Sequence, residues 1–194
     1  MREGTKLLLR RAFDQLVVGE AGTGKQALES LRKEHWDVVI LDLSLPDITG
    51  LDVLKRAKRT KPDVPILVLS YYPEEMYGAR VLKAGAAGYM HKGRPAMELI
   101  DAVHTVLQGG AHISPSLAAH MQAHADAPAK GALSDREIEV LSLLSQGETV
   151  SGIADALRLS VKTVSTYRAR LLLKLNLRTT ADLIRHAIEH RIQG

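Results

Sequence analysis

Two short runs, residues 37–43 (DVVILDL) and 65–70 (PILVLS), are apolar at nearly every position and lie between longer stretches whose apolar residues recur at helical spacing. A strand buried on one face alternates in polarity. A strand that is apolar throughout is buried on both faces, the condition of a parallel strand inside an α/β sheet. The rhythm repeats up to about Gly109. Helical spacing over residues 5–13, 25–33, 50–59, 74–84 and 95–108 alternates with strand candidates at 16–19, 37–43, 65–70 and 87–90. This alternation predicts a parallel sheet with helices on both faces.

Beyond Gly109 the rhythm stops. Residues 114–131 (SPSLAAHMQAHADAPAKG) shift to Ala, His, Pro and Ser without strong periodicity and read as a linker with some helix. From Leu133 onward everything is helical. Ser134 followed by Glu137 forms a capping box for a helix ending near Gln146 and Gly147. A second, short helix covers 150–157, Ser160 caps a third that reaches about Leu175, and Thr180 opens a fourth that continues to about His190. A chain of 194 residues accommodates two small domains, and 45% hydrophobic with 25% charged residues is ordinary for a globular protein. The absence of cysteine excludes disulfides and thiolate metal sites. The apolar run at the N-terminus is too short for a signal peptide, and no segment approaches the roughly 18 apolar residues of a membrane span. The expectation is a cytoplasmic protein without a membrane partner.

Three motifs carry chemistry. Residues 17–26 (VVGEAGTGKQ) satisfy the G-x-x-x-x-G-K of a phosphate-binding loop, and Val38-Val39-Ile40-Leu41-Asp42 resembles a magnesium-orienting strand. Gln26, however, stands where the loop needs a hydroxyl for Mg²⁺, and only one short helix separates Lys25 from Asp42. The favoured reading is a glycine-containing strand-to-helix turn, with a small nucleotide-binding protein as the distant alternative. His186-Ala187-Ile188-Glu189-His190 matches H-x-x-E-H, a zinc-binding spacing that lacks a third ligand of fixed geometry; histidines on a solvated helix face explain it better. The third motif is stronger. Residues 158–178 (RLSVKTVSTYRARLLLKLNLR) hold six Lys/Arg and no Asp/Glu. On a helix, Val161, Val164, Leu171 and Leu175 fall on one side, while Lys162, Ser165, Thr166, Ala169 and Arg170 turn outward. A short helix, a tight turn and a basic helix with small side chains near its start is the arrangement that enters the DNA major groove. Net charge of +4 and pI near 9.4 agree with a polyanionic partner.

Leu133-Ser134-Asp135-Arg136-Glu137-Ile138-Glu139-Val140-Leu141, Ile153-Ala154-Asp155-Ala156-Leu157, Ser160, Thr163-Val164 and Lys174-Leu175 resemble the LuxR-type helix-turn-helix of NarL/FixJ response regulators. DVVILDLSLPDITGLDVL and AGAAGYMHK resemble the phosphoacceptor region and final strand of the same family's receiver domain. The resemblance implies a receiver domain over residues 1–112, a CheY-like, flavodoxin-like doubly wound parallel sheet. A linker over 113–131 and an all-α four-helix DNA-binding domain over 132–194 would follow. It implies Asp42 as phosphoacceptor for a sensor histidine kinase, with Ser70, Tyr89 and Lys92 as phosphoryl-binding or switch residues and Mg²⁺ as the cofactor of phosphorylation. Lys162, Ser165, Thr166, Ala169 and Arg170 would face the groove, and Thr163, Tyr167, Arg168 and Lys174 the phosphates. The implied partners are double-stranded promoter DNA, RNA polymerase and a second copy of the chain, in a regulator that is not an enzyme.

The chain departs from this family in one place. Related receivers begin with a further strand whose end carries an acidic pair for Mg²⁺, and that strand lies between the second and third strands of the sheet. Family members often have Val-Arg-Glu-Gly where this chain has Met1-Arg2-Glu3-Gly4, and a GTG codon reads as Met only at initiation. The first expectation is therefore a later-than-native start, with in-frame upstream codons for the strand. The alternative is a regulator that works without phosphorylation.

Overall fold

The computed structural model describes residues 2–123 and 133–189. The chain divides into two compact units, residues 1–70 with 74–118, and residues 71–73 with 119–194.

In the first unit the order is α1 (Arg2–Ala12), α2 (Gly24–Lys33), β1 (Val39–Leu41), α3 (Gly50–Thr60), β2 (Ile66–Ser70), α4 (Glu74–Lys83), β3 (Gly88–His91) and α5 (Ala96–Leu107). The three strands form one parallel sheet in the order β1-β2-β3, with Leu41 opposite Val68 and Ser70 opposite His91. β2 is buried at all five positions, as its apolar run from Ile66 to Leu69 requires of a central strand covered on both faces, and Ser70 closes it. On one face Leu67, Leu69 and Met90 pack with Leu99, Ala102 and Val103 of α5 and Leu9 of α1. Caps set the helix starts: Thr23 accepts from the Gln26 N–H at 3.1 Å and Thr49 from the Asp52 N–H at 3.0 Å.

The strand expected at residues 16–19 does not form. Leu16 packs against the α1–α5 core, but Val17 is 83% exposed and no ladder joins this segment to the sheet. A strand needs a neighbour to take its N–H and C=O groups. Among the described residues no strand stands beside 16–19, so local apolar character alone does not make this segment a strand. The other strands appear with shorter limits than 37–43 and 65–70 and a shift from 87–90, because pairing fixes strand ends.

The sheet gains a further edge contact beyond β3. His112 pairs with Gly88, accepting from the Tyr89 N–H at 3.2 Å and donating to Ala87 at 2.9 Å. The chain then enters α6 (Pro115–Ala123), capped by Ser114, whose hydroxyl accepts from the Leu117 N–H at 3.0 Å. Leu117 is buried over Gly78 of α4, where a Cβ would stand 2.5 Å from a Leu117 methyl. Part of the segment read as linker is thus helical, and residues 124–132 lie outside the described residues.

The second unit holds α7 (Asp135–Ser145), α8 (Val150–Leu157), α9 (Val161–Lys174) and α10 (Thr180–Glu189). Ile138, Leu141, Leu144, Ile153, Val164, Leu171 and Leu183 form its buried interior. The α7 capping box is complete: the Ser134 hydroxyl accepts from the Glu137 N–H, and the Glu137 carboxylate accepts from the Ser134 N–H. α8 ends on Arg158 at φ 54°, a left-handed residue that reverses the chain where glycine is usual, and the Leu159 N–H closes the turn onto Ala154 at 2.8 Å. Ser160 then caps α9, accepting from the Thr163 N–H at 3.1 Å.

Candidate functional site

Parallel strands deliver their C-terminal ends to one edge of the sheet, and open α/β sheets place their sites there. β1 ends at Leu41, so Asp42 emerges at that edge; β2 ends with Ser70; Lys92 follows β3 directly. The Lys92 N–H donates to the Ser70 carbonyl at 2.8 Å, continuing the ladder. The Lys92 ammonium is paired with Asp42 Oδ2, and the Ser44 N–H donates to Oδ1 at 3.0 Å. The Asp42 side chain remains 33% exposed while that of Lys92 is 9% exposed. Ser70 is fully buried, as is Tyr89 within β3. The loop after Asp42 is pinned by Gly50, whose N–H donates to Leu43 at 3.0 Å and whose missing Cβ leaves room for the Asp42 carbonyl. The strand ends thus present a partly exposed carboxylate, an ammonium that neutralises it and a Ser70 that closes the adjacent strand.

These residues do not make a magnesium cage. Mg²⁺ asks for several oxygens in near-octahedral order, and among the described residues no group of three or more Asp, Glu, His or Cys side chains gathers at Asp42 or elsewhere.

The glycine-rich turn at 22–25 is already filled by an anion of the protein itself. Asp47, from the loop after β1, accepts from the Gly24 N–H at 2.7 Å and the Lys25 N–H at 3.0 Å. Desolvation pushes the Asp47 carboxyl up, but the amides of Lys25 and Gly24 outweigh it and hold its pKa below the ordinary aspartate value. The Gln26 side chain turns back to accept from the Gly22 N–H at 2.9 Å. With the first amides of α2 satisfied this way, the turn presents no open phosphate cradle. Sequence reasoning missed Asp47, because nothing in the pattern marks a loop aspartate as the cap of a helix that begins 23 residues earlier.

In the second unit α9 exposes Lys162, Thr166, Ala169, Arg170, Leu173 and Lys174, while Thr163, Ser165, Tyr167 and Arg168 are half-buried. Val164 and Leu171 are fully buried, as the pattern predicts, but Val161 is 52% exposed. Val161 is the first residue of the helix and lies about 60° from Val164 at roughly 100° per residue, at the edge of the packed stripe. Lys174 differs from its neighbours. Its ammonium reaches Oε2 of buried Glu137 at 2.7 Å, tying the end of α9 to the start of α7. Burial pushes the Glu137 carboxyl up, yet the bonds from Lys174 and Ser134 prevail and keep its pKa below the usual glutamate value. The capping box signalled Glu137; the partner 37 residues away carried no local signal. Of the zinc-spaced motif, Ala187 is buried and His190 lies outside the described residues.

Comparison with known proteins gives two family matches: the response regulator receiver domain over residues 1–104, and the luxR family of bacterial regulatory proteins over 131–187. The response regulator UvrY of Escherichia coli K12 is 35% identical over 98% of this chain and 89% of its own length. The response regulator GacA of Pseudomonas aeruginosa is 33% identical over 98% of this chain and 91% of its own. Among solved structures, RcsB from Salmonella enterica serovar Typhimurium, bound to promoter rprA in the presence of phosphomimetic BeF3-, aligns with a TM-score of 0.66 at 26% identity, covering 92% of this chain and 90% of that one.

Proposed function

This chain belongs to the response regulators that join a receiver domain to a LuxR-family DNA-binding domain, and from that premise we propose a transcription regulator that binds promoter DNA as a dimer through α9 and accepts a phosphoryl group from a histidine kinase on Asp42. The domain limits follow the same reading: receiver 1–112, linker 113–131, DNA-binding domain 132–194. The observation that carries it is the acid-free outward surface of α9, capped by Ser160 and set against α8 through a three-residue turn. Lys162, Ser165, Thr166, Ala169 and Arg170 face the bases in this reading, and Thr163, Tyr167 and Arg168 hold the phosphates. Lys174, paired with Glu137, orients the helix in addition to any phosphate it meets. RNA polymerase is the downstream partner, and the cytoplasm is the compartment where kinase and promoter meet.

In the receiver, an Asp42 oxygen attacks the phosphorus of a phosphohistidine, the P–N bond breaks, and the departing imidazole keeps the electron pair. The acyl phosphate adds up to about two negative charges and three acceptor oxygens. Lys92 then exchanges its carboxylate partner for a phosphoryl oxygen, and Ser70 donates its hydroxyl to another. Tyr89, joined through its N–H to His112, links this edge to the segment leading into α6. Receiver domains generally use Mg²⁺ for this reaction, and the residues described around Asp42 do not supply its ligands. That observation favours a second reading, a regulator whose DNA binding does not require phosphorylation. Intact-mass measurement after incubation with acetyl phosphate and Mg²⁺ separates the two: a single phosphoryl adduct supports the first, and an unmodified chain that still selects promoter DNA supports the second.

A further inference from the structure

The centre of the outward face of α9 is poor in hydrogen-bond donors. At about 100° per residue, Lys162, Thr166, Ala169 and Leu173 lie within roughly 60° of one another, and all four are exposed. Leu173, at 83% exposure, keeps the far end of this line apolar. The Thr166 hydroxyl donates its one hydrogen to the Lys162 carbonyl at 2.9 Å. Its remaining lone pairs can only accept, and its γ-methyl stands on the same face as the Ala169 methyl. Cationic donors sit at the margins, Lys162 on the first turn and Arg170 to one side.

We infer that α9 reads an A·T pair at the centre of its contact, through the Thr166 oxygen and the Thr166 and Ala169 methyls, with guanine read only beneath Lys162 or Arg170. The inference rests on the proposed DNA-reading role of α9 and names the base chemistry that face selects. In the major groove an A·T pair offers the adenine N6 amine, which needs an acceptor, and the thymine C5-methyl, which needs an apolar neighbour. Thr166 and Ala169 supply both. A G·C pair at the same place also offers an amine, cytosine N4, but it lacks the C5-methyl and sets the guanine O6 and N7 acceptors against methyl groups and an oxygen whose hydrogen is already committed.

The test is selection of duplexes from a randomised pool by the full chain, followed by single-atom changes in the selected site. An A·T pair is expected at the position whose preference Thr166→Val alters. There, replacing adenine with purine, which removes only the N6 amine, should weaken wild-type binding about five-fold. Replacing thymine with uracil, which removes only the methyl, should weaken it about four-fold. Thr166→Val keeps a methyl and removes the oxygen, so it should lose the purine penalty and retain the uracil penalty. A G·C pair at that position, or a purine penalty equal in Thr166→Val and wild type, would overturn this inference and leave α9 standing as a base reader. A pool that yields no enriched sequence would overturn both.

Discussion

Each unit contains a lysine–carboxylate pair that joins two elements, and the two pairs are built in opposite senses. In the receiver the lysine is the buried partner: Lys92 is 9% exposed and Asp42 33%. In the DNA-binding unit the carboxylate is buried, with Glu137 at 2% exposure and Lys174 at 32%. In the proposed function, the carboxylate left in contact with solvent is the one a phosphoryl donor reaches, and the ammonium beside it serves as counter-charge of the product. A carboxylate sealed beneath a helix cap has no such access and serves to hold α7 and α9 in register. The same two functional groups thus leave the carboxylate open to solvent in one unit and sealed as a strut in the other.

The contrast can be broken most severely at Asp42. Asp42→Asn should abolish the phosphoryl adduct in intact-mass measurements, and an adduct that survives would move the acceptor elsewhere. Next in size is removal of the ammonium from each pair. Lys174→Met strands a buried carboxylate and should cost about 3 kcal/mol in urea unfolding. Lys92→Met leaves Asp42 able to hydrate and should cost under about 1 kcal/mol. Adding Glu137→Gln to Lys174→Met should restore part of the loss, and equal costs for the two lysine variants would contradict the assignment of roles.

Smaller in scale is the pH dependence of the strut. Because the folded-state pKa of Glu137 lies below its ordinary 4.5, its contribution is present above that value and lost as pH falls through the depressed folded value. Unfolding midpoints of wild type should therefore drop more steeply below pH about 4.5 than those of Glu137→Gln. An unchanged acid limb would show that the pair does not stabilise the fold. The smallest effect is expected at the glycine-rich turn: Gln26→Ser completes the phosphate-loop pattern, yet calorimetric titration with ATP and Mg²⁺ should register no binding, since Asp47 already holds the Gly24 and Lys25 amides.

The sheet and the helices were legible in the sequence wherever the signal was local. Apolar runs marked β1 and β2, and the Ser134 and Ser160 caps marked the starts of α7 and α9. Residues 16–19 were misread because strand formation depends on a neighbour, which apolar content does not report. Val161 was misassigned because a helical pattern identifies a face without showing where along the helix its packing partner stops. Asp42, Ser70 and Lys92 were recognisable from motifs at successive strand ends. Their pairing, the Asp47 cap and the Glu137–Lys174 contact span 22 to 50 residues of sequence and required the fold to bring them together.

The most direct test of the account is fluorescence anisotropy of the full chain with a selected promoter duplex and a scrambled one across a salt series, repeated with Arg168→Ala. The account predicts tighter binding of the selected duplex by wild type. Arg168→Ala should weaken both complexes by a similar factor and lower the salt slope by about one. Equal wild-type affinity for the two duplexes, or a salt slope untouched by the loss of Arg168, would contradict the placement of α9 along DNA.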